Sequence, residues 1–229
     1  MKLFMIRHGE PNYVDDCLTE TGRKQAAAAA ERLALESLDE IYASSNGRAK
    51  ETASYTANAQ GLPIKELDYM REITWGGEGV PVDGHPWTLS DWMINEEDFD
   101  FAHDDWREHP YFKTNKATEN YDYVTGQFDA FMKEHGYIHE GSRFLCTTDE
   151  HKNVAIFGHG GSGACVLSSL LNLAFPYTLV MLPYGYTSII VLDFPVKKGS
   201  YVHPRIELFN DMLHVRNLSD ELKFQQKSE

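Results

Sequence analysis

Short apolar runs alternate with helix-forming stretches along much of the chain. Leu3 to Ile6 is apolar and turns polar at Arg7-His8-Gly9, the pattern of a buried strand emptying into a loop. Thr21 to Glu36 is built of strong helix formers, including Ala26 to Ala30, with Thr19 or Thr21 available as a cap. Glu40 to Ala43 reads as a second strand. Ser44-Ser45-Asn46-Gly47 then turns the chain into a helix from about Arg48 to Gln60, which Gly61 can close. Asn153 to Phe157 is a further apolar run, and Gly158-His159-Gly160-Gly161 leads into the helical stretch Ser162 to Leu173. Tyr121, Val124, Phe128, Phe131 and Met132 form a helical stripe within Thr118 to His135, ended by Gly136, while Tyr186 to Phe194 and Arg205 to Asn210 read as later strands.

Strands that alternate with helices predict an α/β fold, a three-layer α/β/α sandwich around a mostly parallel central sheet. Ligands of such sheets gather at the carboxyl ends of the strands. Arg7 and His8, Arg48, and His159 fall at three such strand-to-helix junctions. Residues 80–117 break the rhythm with Pro81, Pro86 and Pro110, three tryptophans, and the acidic run Glu96-Glu97-Asp98-Phe99-Asp100. The expectation is a single domain over residues 1–229, with an insertion at about 80–140 that covers the site. In that insertion Trp87, Trp92, Phe99, Phe101, Trp106, Tyr111 and Phe112 would close over a ligand, the alternative being a surface excursion with one or two amphipathic helices and no substrate role.

Composition narrows the partners. With 42% hydrophobic and 24% charged residues, the 229-residue chain has ordinary globular usage. At that length a domain buries about 70 to 75% of the surface its unfolded chain exposes. Thirty-five acidic against 21 basic residues give a formal net charge of −14, a field that repels nucleic acid and anionic membranes. A few arginines converging in one pocket can still reverse the potential locally. A small phosphorylated substrate therefore remains compatible with the charge; nucleic acid and membrane are not expected as partners. The oligomeric state stays open, a homodimer included. Cys17, Cys146 and Cys165 have no CxxC spacing, so neither a disulfide framework nor a zinc site is expected. The opening apolar run is too short for a signal peptide, and a cytoplasmic protein is expected. His135 and His139 are spaced i,i+4, but Gly136 interrupts them, and Asp104-Asp105 reads as a solvated face, so no metal is expected.

Metal-free phosphoryl transfer needs a neutral imidazole nitrogen as nucleophile, fixed cations around the phosphate oxygens, and an acid for the leaving oxygen. The chain offers each part. Arg7-His8-Gly9-Glu10 directly after the first strand resembles the RHG signature of the histidine phosphatase superfamily, which includes the cofactor-dependent phosphoglycerate mutases. Further motifs follow in order. Leu18-Thr19-Glu20-Thr21-Gly22-Arg23-Lys24-Gln25-Ala26 resembles LTxxGxxQA, and Ser44 with Arg48-Ala49 and Thr52-Ala53 resembles SxxxRAxxTA. Arg71-Glu72 with Gly76, Glu78 and Gly79 resembles LREx(n)GxxEG, and His159-Gly160-Gly161 resembles the late HGG.

The resemblance implies a phosphoglycerate mutase-like fold and a phosphoric monoester hydrolase of histidine acid phosphatase type, acting without a cofactor. It makes His8 the phosphohistidine, places Arg7, Arg48 and His159 around the phosphate, and makes Glu72 the proton donor. Glu10, Thr19 and Gly160 are implied as further substrate contacts, with Glu10 and Glu78 as other carboxylates able to serve as the acid. Arginine suits positions 7 and 48 because its planar, permanently charged fork matches phosphate oxygens. Pro11-Asn12-Tyr13 stands where mutases carry a Trp-Asn pair, Ser45-Asn46 replaces Pro-Leu, and Gly158 replaces a serine before HGG. The missing mutase continuation and the unfamiliar insertion favour a phosphatase over a mutase-type phosphotransferase, and the intact set of Arg7, His8, Arg48, Glu72 and His159 argues against a non-catalytic phospholigand-binding protein.

Overall fold

The computed structural model describes residues 1–77, 99–101 and 103–216. A six-stranded sheet forms its centre. The strands are β1 (Lys2–Arg7), β4 (Glu40–Ser44), β5 (Ile64–Leu67), β8 (Asn153–Gly158), β9 (Ile189–Asp193) and β11 (Arg205–Asp211), in the spatial order β11-β9-β1-β8-β4-β5. The pairs β1/β8, β8/β4 and β4/β5 are parallel, whereas β9 runs antiparallel to β1 and β11 antiparallel to β9. Because β9 is reversed, its beginning rather than its end lies beside the carboxyl end of β1. The amide of Thr187, just ahead of β9, donates to the Arg7 carbonyl at 3.0 Å. The expected strand from Tyr186 is correspondingly shorter, and Tyr184 to Ser188 form a loop at the site, with Thr187 in the left-handed region at φ 56°.

Helices cover both faces. On one side α1 (Glu20–Leu33) packs against α2 (Gly47–Gln60) over a cluster that includes Phe4, Ile6, Ile41, Ala53, Phe157 and Val191. Thr19 caps α1 by accepting from the Gly22 amide, and Gly61 ends α2 at φ 67°. The other face carries α3 (Pro110–Lys113), α4 (Lys116–Glu134), α5 (Gly160–Leu171) and α6 (Phe175–Met181). The stripe expected on α4 is its buried face, where Phe131 meets Tyr42 of the sheet edge-on and Tyr121 shares a hydrogen bond with Ser168 of α5. A small hairpin, β2 (Pro11–Asn12) with β3 (Cys17–Leu18), follows β1. A second sheet joins β6 (Tyr137–Glu140), β7 (Arg143–Cys146) and β10 (Tyr201–Val202).

Aromatic side chains expected to close over a ligand have a different place. Phe101, Trp106, Tyr111 and Phe112 are 6% exposed or less, in one cluster with Tyr121 and Phe175. Burying such rings is worth more to the core than exposing them at a pocket mouth. The α4 part of the expected insertion is likewise a layer of the sandwich. Pro81, Pro86, Trp87, Trp92, Glu96, Glu97 and Asp98 lie outside the described residues. Among the described residues no single helix is long and apolar enough to cross a membrane.

Candidate active site

His8 follows the last residue of β1, the strand between parallel β8 and antiparallel β9, and the residue is 1% exposed. Its Nδ1 lies 2.7 Å from the Gly9 carbonyl oxygen. A carbonyl can only accept, so Nδ1 carries the proton and Nε2 keeps its lone pair. Burial first, then the charge of Arg7, pushes the imidazole pKa down to about 3, with Arg48 acting in the same direction. The ring is therefore neutral at neutral pH.

Three strand ends bring the other groups to it. Arg48, in the first turn of α2, aims Nε at His8 Nε2 over 3.4 Å. Arg7, the last residue of β1, donates from Nη1 to the Tyr184 carbonyl at 2.8 Å and lies over the Tyr186 ring, 4.5 Å from its centroid. His159, the cap residue of α5, has its ring centroid 5.0 Å from that of His8. Its Nε2 is 2.9 Å from the Ser44 hydroxyl, and its Nδ1 is buried with no hydrogen-bond partner among the described residues. Burial, followed by the charges of His8, Arg48 and Arg7, holds His159 well below its usual pKa. An orphan polar nitrogen facing two arginines' field is what a phosphate oxygen would satisfy.

Glu72 reaches the same place from the segment after β5. Its Oε1 accepts from the amides of Gly161 at 2.9 Å, Ser162 at 3.3 Å and Ile73 at 3.1 Å, which seats the carboxyl on the amino end of α5. Burial raises its pKa, against the pull of Arg7 and of those amides. With Oε1 committed to three amides, Oε2 is the oxygen left to carry a proton. Gly161 permits this approach, since a Cβ there would stand 2.6 Å from Oε1.

Arg7, His8, Arg48, Glu72 and His159 thus converge, and Gly160 lies at the head of α5 beside them. Glu10 and Thr19, implied as substrate contacts, are engaged with each other. The Thr19 hydroxyl donates to Glu10 Oε1 at 2.6 Å while accepting from Gly22, so its one proton is used in holding α1 to the strand end. Glu78 lies outside the described residues. His135 and His139 bond to the Phe131 carbonyl and to Asp129, and among the described residues no group of three or more His, Cys, Asp and Glu side chains could hold a metal ion. Two contributors were not singled out from sequence. Tyr186 carries no motif and stood inside an expected strand; Asp16, which pairs with Arg48 at 2.5 Å, occupies the turn between two motifs.

The fold and this constellation define the histidine phosphatase class. A family model for the histidine phosphatase superfamily (branch 1) matches residues 3–207, and the chain belongs to that superfamily. It is similar to a probable phosphatase of Schizosaccharomyces pombe, 40% identical over 93 residues that cover 36% of this chain and 44% of that protein. It is also similar to a probable phosphoglycerate mutase of Photorhabdus laumondii, 33% identical over 85 residues, covering 33% and 40%. The chain thus spans less than half the length of these curated relatives. Among solved structures, a phosphoserine phosphatase of Entamoeba histolytica in complex with 3-phosphoglyceric acid superposes with a TM-score of 0.63 over 93% of this chain and 98% of the other, at 22% identity.

Proposed function

We propose that this chain is a phosphatase that hydrolyses a small phosphate monoester through a phosphohistidine at His8, without a metal or organic cofactor. One observation carries the proposal: the Nε2 lone pair of a neutral His8 is held at the point where Arg7, Arg48 and His159 meet. In the first step Nε2 bonds to phosphorus as the ester P–O bond breaks, and the leaving oxygen takes the proton of Glu72. Water then attacks phosphorus, the N–P electron pair returns to Nε2, and the Glu72 carboxylate takes the water's proton. The arginines bear the charge that spreads over the non-bridging oxygens. Ser44 donating to His159 Nε2 would leave Nδ1 protonated and ready to donate to one of them.

Hydrolysis is favoured over transfer by the chain's own departures from the mutase pattern at Pro11-Asn12-Tyr13 and by the relative named as a phosphatase. The test is a turnover screen in chelator over sugar phosphates, phosphoglycerates, nucleotides and phosphopeptides. At least one ester should release inorganic phosphate at a rate the chelator leaves unchanged. Isomerisation of a phosphoglycerate without phosphate release would make the chain a mutase, and activity that needs added magnesium or zinc would overturn the metal-free step.

A further inference from the structure

Asp16 meets Arg48 at Nη1, whereas Nε is the nitrogen that faces His8. Its Oδ1 accepts from Arg48 Nη1 at 2.5 Å, and its Oδ2 accepts from the Gly47 amide at 2.7 Å and the Asn46 side-chain amide at 3.3 Å. The residue stands in the left-handed region at φ 49°, and its carbonyl oxygen is so close to Gly47 that a Cβ there would lie 2.2 Å away. Two unusual backbone requirements are therefore met at one contact, between the β2–β3 turn and the start of α2. The turn is itself fixed, with Asn12 Oδ1 accepting from the Val14 amide at 3.0 Å, and Tyr13 sets its ring 5.4 Å from Arg48 Cζ.

A carboxylate beside a phosphate-binding arginine cannot be explained by affinity, because it opposes the approach of an anion. Orientation explains it. An arginine side chain has many rotamers to lose, and a partner that fixes one fork nitrogen leaves Nε aimed at the reacting centre before substrate arrives. We propose that Asp16 is a positioning residue that holds the Arg48 guanidinium in its working orientation beside His8. This rests on the reading of Arg48 as a phosphate ligand. In the transition state the loss of orientation outweighs the relief of repulsion; in the ground-state complex the relief offsets it.

Asp16→Asn keeps one oxygen to accept from the Gly47 amide and turns an NH2 group toward Arg48, so that both the charge and the hydrogen bond to Nη1 are lost. It should lower kcat about 10- to 100-fold and weaken vanadate inhibition in parallel, while KM and inhibition by inorganic phosphate do not worsen. In an Arg48→Ala background the same change should cost nothing further. Wild-type kcat in Asp16→Asn, or an equal loss with Arg48 already removed, would overturn the proposal. Arg48→Ala with full activity would instead overturn the phosphate-site reading. A measurement that needs no variant is the Arg48 Nε–H signal in the ligand-free protein by ¹⁵N NMR. It should be resolved and slow to exchange, and a rapidly averaged signal would equally contradict a held side chain.

Discussion

His8 and Glu72 are both displaced from their ordinary titration ranges by the same agent, burial, with opposite chemical results. Desolvation disfavours the charged form, so the imidazole stays neutral and nucleophilic while the carboxyl holds its proton above the usual carboxylate range. A general acid matters only when the departing oxygen is too basic to leave unaided. Glu72→Ala should therefore cost about 10²- to 10⁴-fold on alkyl phosphates and far less on para-nitrophenyl phosphate. The protonated carboxyl is the active form, so the wild-type rate on alkyl esters should hold below the raised pKa and fall as pH rises through it. That limb should be absent in Glu72→Ala. Equal losses on both esters, with the alkaline limb retained, would make Glu72 structural and transfer the acid's task to another carboxylate. At this scale the sequence was informative wherever a residue had a motif around it, as with Arg7, His8, Arg48, Glu72 and His159. Tyr186 and Asp16 had none, because their roles come from chain segments that meet only in the fold. Thr19 carried a motif and proved to be the α1 cap, a task its LTxxG context describes equally well.

Helix α5 is positioned against the site by contacts that leave no room for a side chain at its first turns. A Cβ at Gly163 would fall 1.8 Å from the Tyr184 hydroxyl, which donates to the His159 carbonyl at 2.7 Å while the Tyr184 carbonyl receives Arg7. Gly163→Ala should thus cost about 1 to 3 kcal/mol as overpacking, read as a lower denaturant midpoint at constant m-value, and should lower kcat by shifting Arg7 and His159 together. An unchanged midpoint would show that Tyr184 yields freely. Elements with a long apolar period or a clear cap were legible in the sequence, α2 and α4 to within two residues. The β5 edge strand, Ile64–Leu67, was not, because its two middle residues are exposed lysine and glutamate and only its ends are half-buried. Nor was the β6–β7 hairpin, whose four-residue strands are too short to show a period. The reversed direction of β9 was equally hidden, since pairing direction depends on a partner that is distant in sequence.

Across the whole molecule a net charge of −14 coexists with a site in which two arginines stand beside His8. Solvent ions screen the outer field, while the fixed cations act at short range where screening is weak. The fold supports this by bringing β1, α2, α5 and the loop ahead of β9 to one end of the sheet, so that no single element supplies the chemistry. The central claim is that His8 is the covalent nucleophile, and rapid quenching after mixing with a ³²P-labelled ester tests it most directly. Wild-type protein should carry one acid-labile, base-stable phosphoryl label that maps to His8, and folded His8→Ala should carry none and release no phosphate. Turnover that persists in His8→Ala, or a label on another residue, would contradict the account.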